Sequence, residues 1–283
     1  MEIFELLQYE FIRNAFLAGL LISIPCGIIG TIIIVNRMVF ASDGIAHASF
    51  GGIGLAVFLG LSPYTGAAVF SLAAAMVTAM LTYGKKFRSD GVIGVIMAVS
   101  MAFGVFMINI TPGYVTEPVN YLFGNILLVT FTDIINIFIF VFLLLIVIFL
   151  FYRKILAVCY DSYFAEVRDI NVKFYHFLIY MLVAGGVVFI VKISGIILFI
   201  ALLTIPPMIV EKYSKNLISM FFYSSILTLI LILTGLFLSI KYNISSGSSI
   251  ILLSGSIFII LNLFDFLKKT KNTHFNKKRV DKV

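Results

Sequence analysis

An aspartate and a histidine, Asp43 and His47, interrupt an otherwise apolar stretch, FASDGIAHASFGGIG (40–54). Four residues apart on a helix, they share one face, one turn above the other. A carboxylate oxygen and an imidazole nitrogen at that spacing can converge on one cation. The donor set suits zinc, manganese or iron better than sodium or potassium. Ionisable side chains inside membrane helices usually face a bundle interior or an aqueous path, and are functional candidates by default. A second reading stands beside the first. Asp43 follows Ser42 at the start of an apolar run, where an aspartate can simply cap a helix and favour its positive end. The spacing leaves both readings open.

The surroundings add to the ligand reading. Gly44, Ala48, Gly52 and Ala56 recur every four residues, a small-residue stripe that lets another helix approach closely. Gly51 follows His47 by four and leaves open space above the pair. The other candidate groups are weaker. His176, beside Lys173 and Tyr175, reads as a membrane-interface side chain, and His274 lies in the basic C-terminal stretch. Cys26 and Cys159 have no metal-type spacing and read as two buried thiols. No G-x-x-x-x-G-K-[ST], H-E-x-x-H or G-x-S-x-G pattern occurs. The chain therefore gives no support to P-loop, zinc-protease or serine-hydrolase chemistry, and the weight moves toward transport.

The elements that must carry the pair are membrane helices. Of 283 residues, 61% are hydrophobic and 12% charged, too few charges to coat a soluble surface of this size. The expected fold class is all-α, a polytopic membrane bundle of about eight or nine transmembrane segments. Nine apolar segments lie near 14–35, 42–60, 64–83, 91–110, 131–152, 174–192, 194–210, 217–240 and 247–267. The seventh is short and contains Pro206-Pro207, which marks either a bend or a helix end. With nine spans and the N-terminus outside, 17 of the 20 Lys and Arg fall on the inner side, leaving Arg13, Lys192 and Lys241 outside. The positive-inside rule therefore favours an outside N-terminus and a cytoplasmic C-terminus. The +7 net charge is explained by that asymmetry and calls for no nucleic acid. One transmembrane domain, 1–267, is followed by a basic tail, 268–283, placed near anionic lipid.

The segment NRMVFASDGIAHASFGGIGLAVFLG (36–60) closely resembles the second-span signature of ABC-importer permeases for zinc, manganese and iron. YLFGNILLVT (121–130), KISGIILFIALLTIPPMIV (192–210) and YNISSGSSIILLSG (242–255) resemble later segments of that family, in order. The resemblance covers nearly all of the chain except the tail. It implies a permease that is not itself an enzyme, sits in a bacterial-type inner membrane and dimerises with a second copy of itself. It also implies an extracytoplasmic metal-binding protein and a separate ATP-binding-cassette ATPase as partners. Asp43 and His47 would be transient ligands of the translocated ion, with no tightly bound cofactor. A cytoplasmic docking loop at about 153–173 would seat the ATPase through Ser162, Ala165, Glu166, Arg168 and Asp169. Three positions depart from the family pattern: Asp169 replaces a glycine, Asn243 an aspartate and Asn125 an acid found in some members.

Zinc is the first expectation for the cargo, with manganese and iron as alternatives, since all accept these donors. Rival readings are a permease for a chelated metal or cobalamin-like cargo, a metal-dependent membrane enzyme and a passive channel.

Overall fold

A computed structural model describes residues 9–84, 89–112, 124 and 126–280. Lys85, Lys86, Arg88, Asn125 and the 121–123 part of the second resemblance segment lie outside the described residues.

The described residues are helical throughout their ordered elements. In chain order these are α1 (Glu10–Val35), α2 (Val39–Phe58), α3 (Pro63–Thr82), α4 (Ser89–Ile110), a 3-10 turn (Ile126–Leu128), α5 (Phe131–Tyr160), α6 (Ser162–Val167), α7 (Val172–Ser194), α8 (Ile196–Glu211), α9 (Leu217–Tyr242) and α10 (Ser246–Val280). Each of the nine expected apolar segments is occupied by one helix. Among the described residues, seven of these are long and apolar enough to cross a membrane: α1, α3, α4, α5, α7, α9 and α10. The 16-residue α8 is too short to be counted. α2 is also left out, because Asp43, His47 and its serines and glycines dilute its apolar character.

Helix ends follow local chemistry. α3 starts with Ser62 accepting from Thr65 N, followed by Pro63 at the first helical position, where a missing N–H does no harm. Thr130 and Asp133 form a reciprocal capping box at the start of α5, and Asn216 with Ser219 does the same for α9. α7 and α8 are separated only at Gly195, whose φ of +75° suits a residue without a Cβ.

Two helices organise the bundle. α1 is largely enclosed by α5, α8 and α9, and α7 by α3, α5 and α2. α2 lies in a layer with α3 and α4. α4 and α10 are mostly exposed in the single chain. The prolines of α8 have a structural role at the α1 contact. Pro207 has no N–H to give to the Leu203 carbonyl, and Gly30 of α1 lies directly against that oxygen. α8 continues through Pro206 and Pro207 and ends at Glu211, so the pair sits inside the helix rather than ending it.

Several boundaries differ from the expected ones. α2 begins at Val39 rather than 42, directly after an Asn36–Met38 turn in which Arg37 takes a φ of +57°. α5 runs to Tyr160, and α10 to Val280. Arg, Lys and Glu are good helix formers, so a charged stretch marks where a helix leaves an apolar medium, not where it stops. The docking loop expected at 153–173 therefore begins as helix, and so does the basic tail.

Candidate functional site

The early start of α2 removes the capping reading of Asp43. The residue before the helix is Met38, which makes no side-chain cap. Asp43 is the fifth residue of α2 and caps nothing. At about 1.5 Å per residue, Asp43 lies about 6 Å into the helix and His47 about 12 Å, close to the middle of its 20 residues.

The structure brings the pair together. His47 Nε2 is 3.3 Å from Asp43 Oδ1, and the side chains are 19% and 26% exposed respectively. His47 Nδ1 is buried and has no hydrogen-bond partner among the described residues. With exposed Phe40, the two side chains make the open edge of a helix most of whose other residues are buried. The opposite side explains why the open edge holds. Gly52 of α2 and Gly66 of α3 meet backbone to backbone, and Ala56 packs on Gly66. The open space expected above the pair at Gly51 is instead filled by α4: on the pair's own side of α2, Gly51 and Gly54 meet the Ser100 and Gly104 carbonyls, so the edge is open only at the level of Asp43 and His47. A Cβ at Gly52 would collide with the Gly66 carbonyl, so the small-residue stripe fixes α2 between its neighbours and sets the direction of the Asp43–His47 edge. Chemically, the edge offers one carboxylate and one imidazole with an unpaired nitrogen. No group of three or more His, Cys, Asp or Glu able to hold a metal exists among the described residues. At this edge one chain presents two side chains of ligand type, not three.

The loop residues singled out from the sequence fall on α6, which opens at Ser162, and on its exit. Asp161 Oδ1 accepts from Tyr163 N and Phe164 N, both at 3.0 Å, and so starts α6. The exit is a Schellman turn: Ile170 N donates to Ala165 O and Asp169 N to Glu166 O, each at 3.0 Å. Asp169 sits at the left-handed position with φ +57°. That geometry is what a glycine would serve, and aspartate is among the few side chains that tolerate it. Ala165 is fully buried and Ile170 packs on the core, while Tyr163, Glu166, Val167 and Arg168 are exposed. The Arg168 guanidinium lies 4.7 Å over the Phe164 ring. Asn243 likewise takes a left-handed φ of +54° and ends α9, with Ile244 N donating to Ser239 O at 3.1 Å.

Sequence reasoning missed two polar clusters. Asp133 and Lys192 form an ion pair between α5 and α7. The second Asp133 oxygen accepts from Thr130 N at 3.2 Å and from Thr130 Oγ1 at 2.7 Å. The Lys192 ammonium also lies 4.8 Å over the Tyr64 ring of α3. The Thr130-x-x-Asp133 capping pattern was visible in the sequence; its partner, 59 residues on, was not. The second cluster joins α3 to α7. Thr82 gives its proton to Thr78 O at 2.8 Å. It can then accept from Tyr180 Oη at 2.9 Å and from His176 Nε2 at 3.3 Å. His176, read from the sequence as an interface side chain, is here a tie between α7 and α3. Both thiols are free; Cys26 is buried as expected, whereas Cys159 is only partly buried and its Sγ accepts from Asn36 Nδ2 at 3.0 Å.

Comparison with known proteins places this arrangement. Residues 8–265 match the ABC 3 transport family. An uncharacterised membrane protein of Synechocystis is 39% identical over 90% of this chain and 91% of its own. The manganese import system permease protein ScaB of Streptococcus parasanguinis is 33% identical, covering 94% of this chain and 95% of its own. The high-affinity zinc uptake system membrane protein ZnuB of Haemophilus influenzae is 27% identical, covering 91% and 98%. The structure of PsaBC from Streptococcus pneumoniae in complex with Fab superposes with a TM-score of 0.79 at 32% identity, over 90% of this chain and 92% of that one. With its apolar helices, the match makes this a multi-pass membrane protein, and a permease rather than an enzyme. The chain belongs to the ABC 3 transport family, the metal ABC-importer permeases that its Asp43–His47 segment resembles.

Proposed function

We propose that this chain is the membrane subunit of an ATP-driven importer for a divalent transition metal, and that Asp43 and His47 line its path. The observation that carries the reading is the Asp43–His47 pair itself, 3.3 Å apart on the open edge of an otherwise packed α2. Two copies facing each other across that edge would offer two carboxylates and two imidazoles, enough to coordinate a transition metal. A pathway site must release as readily as it binds, and partly exposed ligands on one helix face fit a transient stop. Protons compete for the imidazole lone pair, so acid weakens the site.

The cargo we propose is manganese first and zinc second. Both suit the donors, and the manganese-named relative is nearer in sequence than the zinc-named one. The energy source would be a separate ATPase seated on α6, which buried Ala165 and, at its exit, partly buried Ile170 anchor to the core while Tyr163, Glu166, Val167 and Arg168 face outward. An extracytoplasmic binding protein would deliver the ion. The asymmetry of basic residues favours a cytoplasmic α6 and C-terminus.

The test is metal accumulation in cells carrying Asp43→Asn or His47→Ala, with manganese and zinc offered separately and in competition, and with a chelated metal as a third arm. Loss of free-ion uptake at normal expression supports the reading. Unaltered uptake, or uptake of the chelate alone, overturns it.

A further inference from the structure

At the membrane end where α3 stops and α7 begins, a cavity of about 620 Å³ opens between the two helices, lined by Met80, Tyr83, Asn171, Lys173, Phe174 and Phe177. Its chemistry is divided. Met80 and the Tyr83, Phe174 and Phe177 rings make an apolar wall, and Met80, Tyr83 and Phe174 are exposed in the chain. Lys173 and Asn171 stand at the rim, Asn171 exposed and Lys173 at the mouth beside it. Asn171 spends its carbonyl oxygen on Phe174 N at 3.0 Å, and its NH2 group remains a donor. Lys173 has no carboxylate partner among the described residues. Two of the lining rings are held from behind: the His176 ring packs edge-on to Tyr83 and Phe177, and His176 and Tyr180 converge on the Thr82 hydroxyl.

We propose that this cavity is a binding site for an anionic phospholipid. The phosphodiester would accept from the Lys173 ammonium and the Asn171 amide, and the upper acyl chain would lie along Met80, Tyr83, Phe174 and Phe177. Three features select a lipid over other occupants. The cavity sits at the ends of two helices long and apolar enough to cross a membrane, the level at which headgroups lie. Its cation is directly beside a wall of aromatic and thioether surface, a pairing that a free anion does not need. Basic pockets between transmembrane helices are a recurrent mode of anionic-headgroup recognition. The inference rests on the membrane setting and is independent of the cargo.

The experiment uses the purified full chain, delipidated in detergent and titrated with phosphatidylglycerol or phosphatidylcholine, with bound lipid counted by native mass spectrometry. Phosphatidylglycerol should be retained in preference. Lys173→Gln should reduce that preference about fivefold, the effect of one ammonium near a headgroup. Phe174→Ala should weaken retention of both lipids. Lys215→Gln, an exposed lysine elsewhere in the chain, should change neither. Folding of each variant is checked by size-exclusion profile, and Lys173→Arg, which keeps the charge, should keep the preference. Equal retention of the two lipids overturns the proposal, as does a preference that survives Lys173→Gln. Displacement by inorganic phosphate as effective as by phosphatidylglycerol would mean a free-anion site and also overturns it.

Discussion

Replacing Lys192 by methionine tests how the bundle accommodates a carboxylate that is only 6% exposed. Both Asp133 oxygens are engaged: one by Lys192, the other by the Thr130 amide and hydroxyl. Lys192→Met keeps most of the stem and removes the charge, leaving a buried carboxylate with only the Thr130 cap. Breaking a buried ion pair from one side costs about 3–5 kcal/mol. Lys192 is 35% exposed, so water screens part of the loss and the lower figure, about 3 kcal/mol, applies. At about 2–4 °C per kcal/mol, Tm should fall about 6–12 °C. Asp133→Leu with Lys192→Met removes both charges and should recover most of that loss, because an apolar pair of similar volume needs no counter-charge. The assay is a double-mutant cycle on the purified protein, scored as the fraction still monodisperse after heating. A Lys192→Met variant within about a degree of the parent would refute the reasoning, as would a double variant as unstable as the two singles combined.

Further outcomes follow from the helix contacts and turns. Gly52→Leu should prevent α2 from seating on α3, read as loss of monodisperse protein, whereas Gly255→Ala in α10, where a Cβ meets nothing within 4 Å, should be tolerated. Asp169→Gly should leave melting unchanged or slightly raised, whereas Asp169→Val should lower stability by about 1–2 kcal/mol, since a β-branched residue is strained at φ +57°. Lys212→Ala, which breaks an exposed contact to Asp265 at 2.9 Å, should change stability by less than about 1 kcal/mol. Glu166→Lys or Arg168→Glu should reduce co-purification of the ATPase without changing the melting of the isolated chain; an intact complex would remove α6 from the docking role.

The positions of the long helices were legible because a membrane segment must be apolar over its whole length, and hydropathy reports that directly. The start of α2 was harder. Val39, Phe40 and Ala41 carry no capping signal, and the Asn36–Met38 turn that sets the start uses a left-handed Arg37 that no residue preference announces. That three-residue difference is what moves Asp43 off the helix end and His47 toward its middle. The departures from the family pattern at Asp169 and Asn243 became intelligible only with their dihedrals, since both occupy left-handed positions that glycine, aspartate and asparagine share. The Asp133–Lys192 and Thr82–His176–Tyr180 clusters join helices far apart in sequence, and no periodicity within one helix encodes such a meeting.

The central claim is that Asp43 and His47 carry the ion. It is tested most directly by ATP-dependent uptake of radioactive manganese and zinc into proteoliposomes holding the assembled importer. The account predicts that Asp43→Asn and His47→Ala each abolish accumulation while the complex still assembles and hydrolyses ATP. Accumulation at the parent rate in either variant would contradict it.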